Sequence, residues 1–173
     1  MLAPLRLVSL MLAFLAGCQT APRIHTVSHV DLDRFMGSWF VVANIPTFIE
    51  KDAYNAIESY KRDTDGTIAT TFTFREGSFT GPSRRYDPRG FVTDPSTNAE
   101  WDMQFIWPIK SDYRIVYLSD DYEATIIGRD ERDYLWIMTR NPLITEDRLK
   151  QLIEIAAREG YDPQKIRRVP QKW

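Results

Sequence analysis

From Trp39 to Arg140 one pattern recurs: short runs of β-branched and aromatic residues alternate with polar ones, and turn residues separate the runs. The alternation is clearest in "AEWDMQFIW", where Trp101, Met103, Phe105 and Trp107 oppose Glu100, Asp102 and Gln104. "TIATTFTFR" sets Ile68, Phe72 and Phe74 against Thr71, Thr73 and Arg75. A period of two residues is that of a strand with one buried face. Further strands are read in the run from Trp39 to Ile45, in "AIESYKRD", and in "SRRYDPRGFVTD", interrupted near Asp87-Pro88. "YRIVYLS", "EATIIGRD" and "DYLWIMTR" bring the total to eight. Eight consecutive strands with short connections predict an all-β, eight-stranded antiparallel up-and-down β-barrel, which removes sheet edges by closing. A two-sheet sandwich fits the same pattern. An eight-stranded barrel either fills with side chains or holds one small ligand.

The period changes after Asn141-Pro142. Leu149, Leu152, Ile153 and Ala156 follow helical spacing, with Thr145 as N-cap and Gly160 as stop. This predicts a C-terminal α-helix packed outside the barrel, then a short strand through Lys165–Val169. A helical turn is expected at Asp31–Phe35, broken by Gly37.

The 173-residue chain carries a single cysteine, which excludes an intrachain disulfide framework. Its net charge of −2 gives no basic footprint for nucleic acid. Before Cys18 stand Arg6, an apolar run from Leu7 to Ala16, and the small residues Ala16 and Gly17. The run is too short for a comfortable membrane span and suits a signal-peptide core. "LAGC" (Leu15–Cys18) resembles the lipobox of bacterial lipoproteins. The resemblance implies a signal peptide over residues 1–17 and a diacylglyceryl group on Cys18, whose amine is acylated after cleavage. Two or three acyl chains make such an anchor stable where one is marginal. Gln19, rather than Asp, favours the outer membrane by the sorting rule of that class. Residues 18–30 then read as the lipidated cysteine and a polar tether, and residues 31–173 as one domain.

Three stretches carry a further resemblance. "GSW" (Gly37, Ser38, Trp39) starts the first strand, "SDY" (Ser111, Asp112, Tyr113) precedes the sixth, and "TR" (Thr139, Arg140) ends the eighth. Together they resemble the lipocalin family, whose motifs are G-x-W, T-D-Y and a late Arg. "DERDYLWIMTRNP" with the helix after it is similar to the bacterial outer-membrane lipoprotein, apolipoprotein D-like branch. The resemblance implies a carrier of fatty acids or lysophospholipids, anchored in the outer membrane on its periplasmic face, with a homodimer possible. It makes Gly37, Trp39, Asp112, Tyr113 and Arg140 structural residues: Gly37 turns the chain, Trp39 plugs the closed end, and Arg140 covers the indole.

The residues themselves offer little for catalysis. The only histidines, His25 and His29, lie in the tether, a poor platform for a metal, and no phosphate-binding glycine loop is present. No catalytic residue, metal or cofactor is expected. What remains is a cavity lined by Ile68, Phe72, Phe74, Trp101, Met103 and Phe105, joined by Tyr117, Trp136 and Met138. Phe48 and Ile49 fall at the rim, and Arg84 or Arg85 is a candidate for meeting an anionic head group. The alternatives are a filled barrel that recruits an envelope partner, and a lipid-modifying enzyme on the same scaffold.

Overall fold

The computed structural model describes residues 22–173. Signal peptide, Cys18 and Gln19 lie outside the described residues. Strands β1 (Gly37–Ile45), β2 (Ala53–Arg62), β3 (Ile68–Glu76), β4 (Ser83–Tyr86), β5 (Arg89–Val92), β6 (Glu100–Ile106), β7 (Ile109–Leu118), β8 (Ala124–Gly128) and β9 (Leu135–Thr139) follow helix α1 (Leu32–Phe35). They pair in the order β1-β2-β3-β5-β6-β7-β8-β9, each antiparallel to the next, and β1–β9 pairing closes the barrel. β4 and β5 are two halves of one strand, so eight strands surround the interior. The division falls at Asp87-Pro88, because proline has no N–H to give the ladder. β3 pairs with β5 near one end, through Ile68 and Ala69, and with β4 near the other, through Phe72 to Arg75. β4 pairs with β3 alone, so the wall is parted between β4 and β6 toward the open end.

Helix α2 (Glu146–Arg158) is capped by Thr145, whose side chain accepts from the Arg148 N–H. Its buried residues, Leu149, Leu152 and Ala156, pack on Val42, Ile45, Ile126 and Ile137 from outside the barrel. β1 therefore has buried residues on both faces, which explains its continuous apolar run. The terminal strand β10 (Arg167–Arg168) pairs with Ala43 and Asn44 of β1.

The N-terminal segment differs from the expected tether. Ile24 and Val30 are buried. The Val27 N–H donates to the Ile115 carbonyl at 3.0 Å, the Val30 N–H to that of Thr97 at 2.7 Å, and the Ile24 N–H to Asp130 Oδ1 at 2.9 Å. The packed domain thus begins near Ile24. Its isolated apolar residues gave too short a pattern to show this.

Candidate functional site

The closed end is filled. Trp39 is fully buried, and its Nε1–H donates to the Phe35 carbonyl at 2.8 Å. The Phe35 ring lies 5.2 Å from Trp39, 5.5 Å from Tyr60 and 5.6 Å from Trp101. The Arg140 guanidinium lies 3.7 Å from the Trp39 ring centroid. It also donates to the carbonyls of Arg34, Phe35, Met36 and Ser38 at 2.8–3.0 Å. One side chain therefore closes the C-terminal end of α1 and covers the plug. Gly37 makes this possible: its φ is +93°, and a Cβ there would lie 3.4 Å from Arg140 Nη1. Tyr113 stacks on Trp101 at 5.3 Å, and its hydroxyl is hydrogen-bonded to that of Tyr60. Asp112 accepts from the Asp130 N–H at 2.8 Å and Arg129 Nε at 3.1 Å. Partial burial works to raise its pKa, but these donors win and hold it below the usual carboxylate range.

Above this floor lies a cavity of about 350 Å³. That falls within the range of small-molecule sites, about 300–1,000 Å³. Phe72, Met103, Phe105 and Trp136 line it, from β3, β6 and β9. The other five expected lining residues lie elsewhere. Phe74 packs against Phe72 and Tyr86, with ring centroids at 5.3 and 6.3 Å. Trp101 and Met138 are fully buried in the filled part of the interior, with Ile68. Tyr117 points outward to α2, where its hydroxyl accepts from Arg148 Nη2 at 3.2 Å. A register shift between Ile115 and Tyr117 turns it to the other face. Arg84 and Arg85 are exposed and paired with Glu76 and Asp87, and neither reaches the cavity.

Two cavity residues that sequence reasoning missed are carboxylic acids. Glu58, on β2, is 6% exposed, and Glu50, in the β1–β2 loop, is 2% exposed. Glu50 accepts from the Thr47 N–H at 3.0 Å and from Trp136 Nε1 at 3.1 Å. Burial pushes its pKa up against those hydrogen bonds. Burial also pushes Glu58 up, to about 8, with the Tyr60 hydroxyl opposing and the Glu50 charge adding to the rise. The signal was in "AIESYKRD": Ala56 and Tyr60 point inward, so Glu58 between them must as well. Its charge concealed it.

At the mouth Phe48, Ile106, Trp107 and Ile109 are exposed, Trp107 by 83%. The cavity wall carries no histidine or cysteine among the described residues. His25 lies on the outer surface, 3.3 Å from Glu159. No group of three or more His, Cys, Asp or Glu side chains is placed to hold a metal ion among the described residues.

A closed eight-stranded barrel, plugged at one end and hollow toward the other, is the architecture of a small-molecule binding protein. Residues 30–171 match the lipocalin-like domain family, and the chain belongs to it. It is 31% identical over 160 residues to temperature-induced lipocalin-1 of Arabidopsis thaliana, covering 86% of this chain and 83% of that one. Identity to outer membrane lipoprotein Blc of Escherichia coli is 25% over 148 residues, covering 85% and 83%. The fold is also that of insecticyanin from the tobacco hornworm Manduca sexta, with TM-score 0.66, 15% identity and coverage of 86% and 85%. The family and the site together describe a lipocalin barrel with an internal cavity of small-molecule size.

Proposed function

We propose that the protein is a lipid-anchored carrier of single-chain amphiphiles, such as fatty acids and lysophospholipids, in the bacterial cell envelope. The observation that carries this is the cavity of about 350 Å³, walled by Phe72, Met103, Phe105 and Trp136 and opening at an apolar rim. Each methylene buried there contributes about 0.8 kcal/mol, so one alkyl chain suffices for micromolar binding after association costs. The lipobox-like "LAGC" supports attachment through Cys18, and Gln19 supports the outer membrane. Similarity to Blc, named as an outer membrane lipoprotein, supports the same location and branch. The exposed Phe48, Ile106 and Trp107 suit brief contact with a lipid surface from which ligand enters.

A tryptophan-emission titration with lysophospholipid and long-chain fatty acid tests the reading, with calorimetry as check. Saturation near one ligand per barrel is the expected result. Trp136→Ala weakens it about tenfold, the loss of one aromatic wall contact, without unfolding the protein. Absence of heat and of emission change with both ligands would overturn the carrier reading and favour a barrel that serves as a protein-interaction module.

A further inference from the structure

The cavity's charges are unbalanced. Among the described residues Glu50, Glu58, Asp87 and Asp112 reach it, against a single cation, Arg129. Arg129 is already held by Asp112, Glu131 and Asp133 at 3.1, 3.3 and 2.8 Å. Asp87 is likewise paired with Arg85, outside the cavity. Glu58 has no ion-pair partner among the described residues, and it is nine-tenths buried against the open volume. Thr47 Oγ1, also at the wall, is buried with no hydrogen-bond partner among the described residues. An anionic head would meet two carboxyl groups and no free cation among the described residues lining the cavity. A buried carboxyl group without a cation is costly unless a ligand supplies one.

We infer that Glu58, with Glu50 beside it, forms an acidic subsite that takes the protonated nitrogen of a single-chain amphiphile, its alkyl chain lying along Phe72, Met103 and Trp136. This rests on the carrier reading and narrows its ligand class from fatty acids to amphiphiles with a cationic head. The groups facing Glu58 are Glu50 from the loop, Tyr60 on its own strand and Tyr113 on β7. None of them brings positive charge. The empty site therefore favours the protonated acid at neutral pH, and an arriving ammonium group draws the carboxylate out. The Glu58 proton leaves to the buffer, and carboxylate and ammonium pair.

The test is calorimetric titration of the protein with dodecylamine, dodecanol and dodecanoate, each below its micelle concentration. The expected order is amine, then alcohol, then carboxylate, with the amine at least about tenfold tighter than the alcohol. At pH 7, titrations in phosphate and in Tris should show about one proton released per amine bound and none for the alcohol. In Glu58→Gln the amine should lose both its advantage over dodecanol and its proton release. Equal binding of amine and alcohol, or an amine preference that survives both Glu58→Gln and Glu50→Gln, overturns the subsite and leaves the carrier reading standing. Failure of dodecanol and of the other two to bind overturns both.

Discussion

At the closed end of the barrel Phe35, Trp39, Tyr60 and Trp101 fill the interior, and Arg140 satisfies four carbonyls while covering Trp39. Halfway up, the same strands enclose open volume, and facing it are two buried glutamates that have no ion-pair partner among the described residues. The strands do not change character between the halves; their side chains do. Aromatic rings whose polar atoms find partners stabilise the lower half. In the upper half burial works against Glu50 and Glu58. Stability and binding are thereby allotted to separate stretches of one continuous sheet, and substitutions can tell them apart.

The largest effect belongs to the lower half. Trp101 is fully buried, touches Phe35, Tyr60 and Tyr113, and donates through Nε1 to the Asn98 carbonyl at 2.8 Å. Trp101→Ala should lower stability by about 3–5 kcal/mol, the cost of emptying a packed aromatic site. Urea unfolding measures this. A loss below about 0.5 kcal/mol, the ceiling for a surface change, would show that the floor is not rigidly packed and break the comparison.

The next prediction reverses the sign. The Glu58 pKa stands at about 8 in the folded protein against an ordinary 4.5. Below the lower value both folded and unfolded chains hold the proton, and the residue costs nothing. As pH rises the unfolded chain ionises first, so stability falls until the folded chain ionises as well, then levels off. Glu58→Gln should therefore match the parent near pH 4 and exceed it by on the order of 3 kcal/mol at pH 7. Unfolding midpoints across that range decide it. A constant difference between the two proteins would mean that Glu58 is not desolvated.

The lower half was legible in the sequence and the upper half only partly. "GSW", "SDY" and the late Arg140 occupy positions with one geometric solution, and the alternating runs gave the strands and closure. Inward parity, however, does not say how far up the barrel a residue stands. Trp101 and Trp136 both point inward, yet one fills the floor and the other lines the cavity. Height depends on strand stagger, which is set by pairing across the whole barrel. Tyr117 was misplaced for a local reason, because a register shift breaks the parity. Glu50 and Glu58 went unseen because charge reads as surface, and only the closed structure shows that no solvated face remains for them.

The smallest effect on stability is expected at the mouth. Trp107 is 83% exposed and does not line the cavity. Trp107→Ala should change stability by no more than about 0.5 kcal/mol, as for other surface substitutions. It should also leave the affinity for dissolved ligand unchanged. If the rim touches a bilayer during uptake, transfer of a fluorescent lysophospholipid from donor vesicles should slow several-fold. A large indole favours the membrane–water interface, and alanine does not replace it. Unchanged transfer would mean that ligand reaches the barrel through water, leaving the apolar rim as the outer margin of the cavity. Slowed transfer with unchanged affinity would divide the upper half once more, into a rim that governs the rate of entry and an interior that governs how tightly ligand is held.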